Sequence, residues 1–173
     1  SGVSHGRKLV QGINKAGDFE FTVEGHVTRR WKLREKEFDE GTVFNVQIEE
    51  QSPHLVKNIK IYFRDEWAEP CSFIEIGNTV RITAGKVEQN PAHSGKTLHT
   101  EHPFFLVASP ASELKVFQEC GDEVVEMTIH SKNLQNPAMK VSKKSSFGTK
   151  VMANNKQGEK PDPVWLRQEA TTD

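Results

Sequence analysis

The chain is poor in cysteine. Cys71 and Cys120 are the only two among 173 residues, too few for a disulfide framework or a zinc ribbon, and a reducing nuclear or cytosolic compartment is expected. Charge of one sign is lacking as well: the formal net charge is −1, which excludes a domain that grips duplex DNA over its whole surface, because such domains carry a strong basic excess. An anionic partner must then be met by a local patch. No run approaches the ~18 apolar residues of a membrane-spanning helix and no signal-peptide pattern opens the chain, so a soluble protein without a membrane partner is expected. No Gly-rich phosphate loop, nucleophile elbow or paired acid and base occurs either. Catalysis is not expected, and no cofactor is implied.

Hydrophobic content of 35% against 27% charged residues is more polar than a compact globule requires, so part of the chain is expected to be unstructured. The length suits one domain with a real core. Ser1-Gly2, without a preceding Met, reads as a cleavage scar on a fragment of a longer protein.

Residues 1–18 are polar and weakly patterned, a flexible leader with at most one helical turn. From Phe19 the period is two: Phe19, Phe21, Val23 and Val27 share one face, with a bend or bulge expected at Gly25. Residues 31–41 are highly charged and read as a long exposed connection. Phe44, Val46 and Ile48 mark a second strand, Ser52-Pro53 a turn, and Ile59 to Arg64 a third strand. Asp65 to Phe73 loses the period and has room only for a short helix or an irregular crossover. Thr79 to Val87 is a fourth strand rich in β-branched residues, residues 88–96 form a loop, and a fifth strand resumes from Thr97 with Leu98 and continues, broken near Pro103, through Phe104 to Val107.

Ser109-Pro110 suits an N-cap and first helical position and Gly121 a stop, predicting a short C-terminal helix over Ala111 to Cys120. Val124 to Ile129 suits one more strand. Between Ser131 and Lys160 seven lysines face only Glu159, and so few apolar residues cannot order the segment alone. The expected organisation is a leader over 1–18, a nucleic-acid-binding domain over 19–130 and a basic, largely disordered tail over 131–173. The element order predicts an all-β fold, a five-stranded OB-fold Greek-key barrel with flexible ends. In that architecture the second and third strands, with the first-to-second and fourth-to-fifth loops, bind oligonucleotides.

Function is most legible from Ile59 to Arg64. In a strand successive side chains point to opposite faces, so Ile59, Ile61 and Phe63 enter a core while Lys60, Tyr62 and Arg64 face solvent. A ring between two cations suits a flexible polyanion with flat bases, which stack on the ring while phosphates meet the charges. The run Arg29-Arg30-Trp31-Lys32 repeats that chemistry on the first long loop, with Trp31 as a local packing anchor the alternative. Arg64 and Arg81 have the fork to read a guanine edge, or else pair with Glu24 or Asp65. Lys60, Lys86 and Lys96 suit phosphate contact, and His93 lies with Lys96 on the second loop. Trp67, among Asp65, Glu66 and Glu69, reads as core. His93, His99 and His102 lack a companion ligand at metal spacing.

Asn58-Ile59-Lys60-Ile61-Tyr62, Ile76-Gly77-Asn78-Thr79-Val80-Arg81-Ile82, a polar loop, Leu98 to Val107 and Glu113-Leu114-Lys115-Val116 follow in an order that resembles the second OB domain of the protection-of-telomeres family. The resemblance covers roughly Phe19 to Phe117. It implies sequence-selective binding of the single-stranded, G-rich telomeric overhang, location at chromosome ends in the nucleus, and other telomere proteins as further partners. Two alternatives stand beside it: a general single-strand binder of the replication protein A type, and an OB-fold used as a protein-interaction platform.

Overall fold

A computed structural model describes residues 6–91 and 101–144. Its elements are β1 (Gly17–Glu35), β2 (Thr42–Glu49), β3 (Asn58–Arg64), α1 (Ala68–Cys71), β4 (Thr79–Gln89), β5 (Phe104–Val107), β6 (Glu113–Cys120), β7 (Glu123–His130) and β8 (Ala138–Lys143). The first half of β1 pairs with β4 and its second half with β2, while β5 joins β3 to β4, so five strands close a ring in the order β1-β2-β3-β5-β4. Only the β3–β5 pairing is parallel among the described strands. From β4 the sheet runs on, outside the ring, through β6, β7 and β8.

One strand serves two neighbours because of Gly25. His26 is in register with Thr79 on β4 and with Glu49 on β2, and a Cβ on Gly25 would stand 2.7 Å from the Glu49 carbonyl oxygen. The backbones approach too closely there for a side chain. The bend expected at Gly25 thus falls where β1 changes partners, and a register break follows between Val27 and Arg29. A second break lies between Phe19 and Thr22. Beside it Gly85 has φ +154°, and its missing Cβ leaves room for the Val107 carbonyl.

Alternation fills the ring. Phe44, Val46 and Ile48 from β2, Ile59, Ile61 and Phe63 from β3, and Val80 and Ile82 from β4 are all buried, joined by Val23, Val27, Leu106 and Leu114. Each such side chain contributes about 1.5–3 kcal/mol relative to exposure. Phe44 and Phe63 stack with centroids 6.0 Å apart. Between β3 and β4 a 3-10 turn at Asp65–Trp67 leads into α1, the short crossover expected there. Trp67 is a core residue, 2% exposed, and burial pushes the Cys71 thiol well above its ordinary range.

Four expectations need correction. Residues 31–35 are strand, so the exposed connection shrinks to six residues and Trp31 sits on β1. The predicted helix at 111–120 is β6: Ser109-Pro110-Ala111-Ser112 closes a turn through the Ser112 N–H and the Ser109 carbonyl, 2.8 Å apart, and Gly121, with φ 64°, turns the β6–β7 hairpin. Helix-capping residues and turn residues are the same types, and here the two-residue period of Leu114 and Val116 prevailed.

The leader is anchored from residue 6. Gly6 and Lys8 exchange backbone hydrogen bonds with Thr22, Val10 is fully buried, its N–H donates to both oxygens of Glu50 at 2.9 Å, and its carbonyl accepts from His102 Nε2 at 2.8 Å. The single 3-10 turn at Val10–Gly12 is the one helical turn allowed for. The basic tail contributes a strand, Ala138–Lys143. β8 gains its order from pairing with β7, with Lys143 bonded to Glu123 at 3.2 Å; that contact raises the Lys143 pKa. The rest of the tail, residues 145–173, lies outside the described residues.

Candidate nucleic-acid interface

Register brings the sequence candidates into rows across the outer face of the ring. Trp31 on β1 is opposite Asn45, Asn45 opposite Tyr62, Tyr62 beside Val107, and Val107 opposite Lys86. One row along stand Arg29, Gln47 and Lys60, and on the other side Val43 and Arg64, with Arg34 at the β1 end. Because Phe44, Val46, Ile61, Phe63 and Leu106 are the buried partners in each alternation, these rows point away from the core.

Two aromatic stations mark the central row. The Tyr62 ring, half-buried, packs at 4.6 Å against Phe105, tilted by 52°. The Arg29 guanidinium lies 4.7 Å and Lys60 Nζ 5.1 Å from the centre of the Trp31 ring. Asn45 between them is 1% exposed, and its Oδ1 accepts from Arg34 Nη2 at 2.7 Å. Arg64 holds Glu88 with both terminal nitrogens, at 3.1 and 3.2 Å, and stands 5.9 Å from the Tyr62 and Phe105 rings alike. A partly exposed ion pair of this sort is worth about 0–1 kcal/mol. The Arg64 fork is therefore parked rather than locked.

Burial raises the Tyr62 pKa above its ordinary 10.0, and the positive charges of Arg34 and Arg64 oppose the shift without cancelling it. The neutral phenol is favoured in the fold, so its contribution to stability is fully present below pH ~10 and is lost as pH rises through the folded value. Tyr62 is the only tyrosine. Phenolate absorbance during alkaline titration consequently reads this site alone, and its midpoint is expected above that of the unfolded chain, rising further in Arg64→Gln. A midpoint at the unfolded value would show a fully solvated ring.

Other candidates fall elsewhere. Arg30 donates to the carbonyls of Ile74 and Ser72 at 2.8 and 2.7 Å and lies 5.0 Å from the Phe44 ring; its fork clamps the crossover after β3. Arg81 pairs with Glu24 at 2.9 Å and covers Phe117 at 5.2 Å, on the β1–β4–β6 side. That is the alternative the sequence held open. Lys86 ends the central row, exposed, with Asp18 at 3.3 Å, and Lys32 is exposed on β1. His93 and Lys96, like His99 and the expected start of the fifth strand at Thr97 and Leu98, lie outside the described residues. Among the described residues no group of three or more His, Cys, Asp or Glu could hold a metal ion, and no helix is long and apolar enough to cross a membrane.

Sequence reasoning missed Phe105, Asn45 and Arg34, which join the site only through strand register. It also missed Phe38. That ring, 88% exposed, stands in the β1–β2 connection and with Tyr62, Arg34 and Arg64 lines a concavity of about 640 Å³ whose rim carries Glu35, Glu37 and Asp39. An isolated Phe within a charged run was its only signal. No protein-family model matches the chain, and no curated protein matches it.

Proposed function

We propose that this chain is an OB-fold module that binds single-stranded nucleic acid across β2 and β3, and that its ligand is the G-rich DNA overhang of a chromosome end. The observation that carries the reading is the outward pair of Trp31 and Tyr62, the latter backed by the buried Phe105, with Arg29, Lys60 and Arg34 around them. Bases stack on the rings, and phosphates are neutralised by the cations. A five-strand ring with a short helix between its third and fourth strands supports the OB assignment. The telomeric part rests on the resemblance of the segments 58–62 and 76–82, and nuclear location follows from it.

A fluorescence titration with a G-rich telomeric DNA, a scrambled DNA and the RNA counterpart tests the proposal. Selective saturation by the first supports it. Weak, equal binding of all three favours the second reading, a protein-interaction platform, for which the acidic rim beside Phe38 speaks because it repels phosphate. Lys60→Ala is expected to weaken every oligonucleotide alike and to lower the slope of log K against log salt by about 1. An unchanged slope would remove Lys60 from the phosphate path.

A further inference from the structure

Beside the aromatic row lies a second, smaller concavity of about 260 Å³. Arg29 and Lys60, the two cations on the Trp31 ring, line it together with Gln47 and Asn58 from the strands. Phe104 and Glu101 complete it from the chain leading into β5. Both of these are held in place. The Phe104 N–H donates to His102 Nδ1 at 3.0 Å, and Asn90 Nδ2 donates to the His102 carbonyl at 3.2 Å and, at 3.4 Å, to Glu101 Oε2.

One residue that lines this cavity holds an unmade hydrogen bond. Asn58 Oδ1 is enclosed and has no hydrogen-bond partner, although its residue is only half-buried. Leaving an enclosed acceptor unmade costs about 1–3 kcal/mol, so a donor brought within its reach would relieve that cost. The asparagine χ2 torsion is broad, so a modest rotation turns the amide into the cavity.

We infer that this cavity seats one guanine base, an inference that rests on the single-strand reading above. Guanine presents O6 and N7 acceptors on one edge and N1–H and N2–H₂ donors on the next. Arg29 supplies donors to the first edge, as arginine commonly does. Asn58 Oδ1 and the Glu101 carboxylate accept from the second, and Phe104 offers a flat apolar wall. Adenine lacks both O6 and the N2 amino group, so it would leave Arg29 and Asn58 unmatched. A site built from hydrogen-bonding groups rejects the analogue that lacks the matching group more strongly than an apolar pocket rejects a misfit.

Inosine tests this, because it differs from guanosine only in lacking the 2-amino group. Guanines of a bound telomeric oligonucleotide are replaced by inosine one at a time, and dissociation constants are measured for the wild-type chain, Asn58→Ala and Asn58→Asp. At one position the wild type is expected to lose about 5-fold. Asn58→Ala is expected to bind the guanine and inosine strands equally, with a thermal midpoint unchanged or raised, since an orphaned acceptor is removed. Asn58→Asp keeps an acceptor and is expected to keep the preference.

A wild type indifferent to inosine at every position, or an Asn58→Ala chain that still discriminates, overturns the guanine pocket. If in either case Trp31→Ala and Tyr62→Ala still weaken binding, the single-strand reading survives alone. If no oligonucleotide binds the wild type, both fall.

Discussion

Replacing Trp31 and Tyr62 together by alanine is expected to lower single-strand affinity by about 2–6 kcal/mol, at ~1–3 kcal/mol for each stacked base. That is roughly a 30-fold to 10⁴-fold loss. The two residues lie one strand apart, on either side of Asn45, which sets their backbones about 9.5 Å from each other at ordinary strand spacing. Effects at that distance add. Neither ring belongs to the buried core cluster, so the variant should fold, as far-ultraviolet circular dichroism would verify. A folded double variant that binds within tenfold of the wild type would place the ligand elsewhere.

Trp31 also shows what could and could not be read from the residues in order. Its chemistry was legible, a ring among cations, but its setting was mistaken, because Arg34, Glu35, Lys36 and Glu37 in succession break off the alternation of Trp31 to Arg34 before it is long enough to mark a half-buried strand. β1 holds its course there because Asn45 and Val43 across the ladder accept it as an edge partner, and that is a property of the pairing. β3 and β4 were legible because each buries mainly one face and so prints a two-residue period, and β2 because Phe44, Val46 and Ile48 alternate with Asn45 and Gln47, although Asn45 is buried as well. The same rule should have identified β6, where Leu114 and Val116 alternate with charge, but Pro110 and Gly121 mimicked helix ends.

β8 has almost nothing to bury, so only its neighbour could disclose it. Arg30 and Arg64 illustrate the limit for the site. Both are arginines in basic, aromatic surroundings, yet one is bonded to the carbonyls of Ser72 and Ile74 and the other lies on the outer face against Glu88. Strand parity separates them, and parity is lost to the reader at the break after Val27.

Phe44→Ala is expected to destabilise the fold by about 3–5 kcal/mol, the largest single effect on stability considered. Phe44 is fully buried, stacks on Phe63 at 6.0 Å and supports the Arg30 guanidinium at 5.0 Å. Truncation opens a cavity and also takes the platform from under the arginine that grips the crossover. For a domain of this size, with total stability of about 5–15 kcal/mol, that loss is about a fifth of the total at the least.

Urea unfolding would show it as a lower midpoint at unchanged m-value. Phe38→Ala serves as the contrast. A ring 88% exposed is expected to change stability by no more than about 0.5 kcal/mol. A small effect at Phe44 would mean that the two-phenylalanine centre of the ring repacks around the void.

The shared strand β1 has a consequence during synthesis. Phe19, Val23 and Val27 emerge early, but Val23 finds its β4 neighbour Ile82 only after some sixty further residues have been added. At ordinary elongation rates that leaves the strand half-clothed on the ribosome for roughly 3–12 s. β2 can zip onto the far half of β1 in the meantime, since hairpin formation takes microseconds. The near half must wait, a greasy edge in need of a chaperone or of sheer solubility from the acidic side chains Glu20 and Glu24 between its apolar ones.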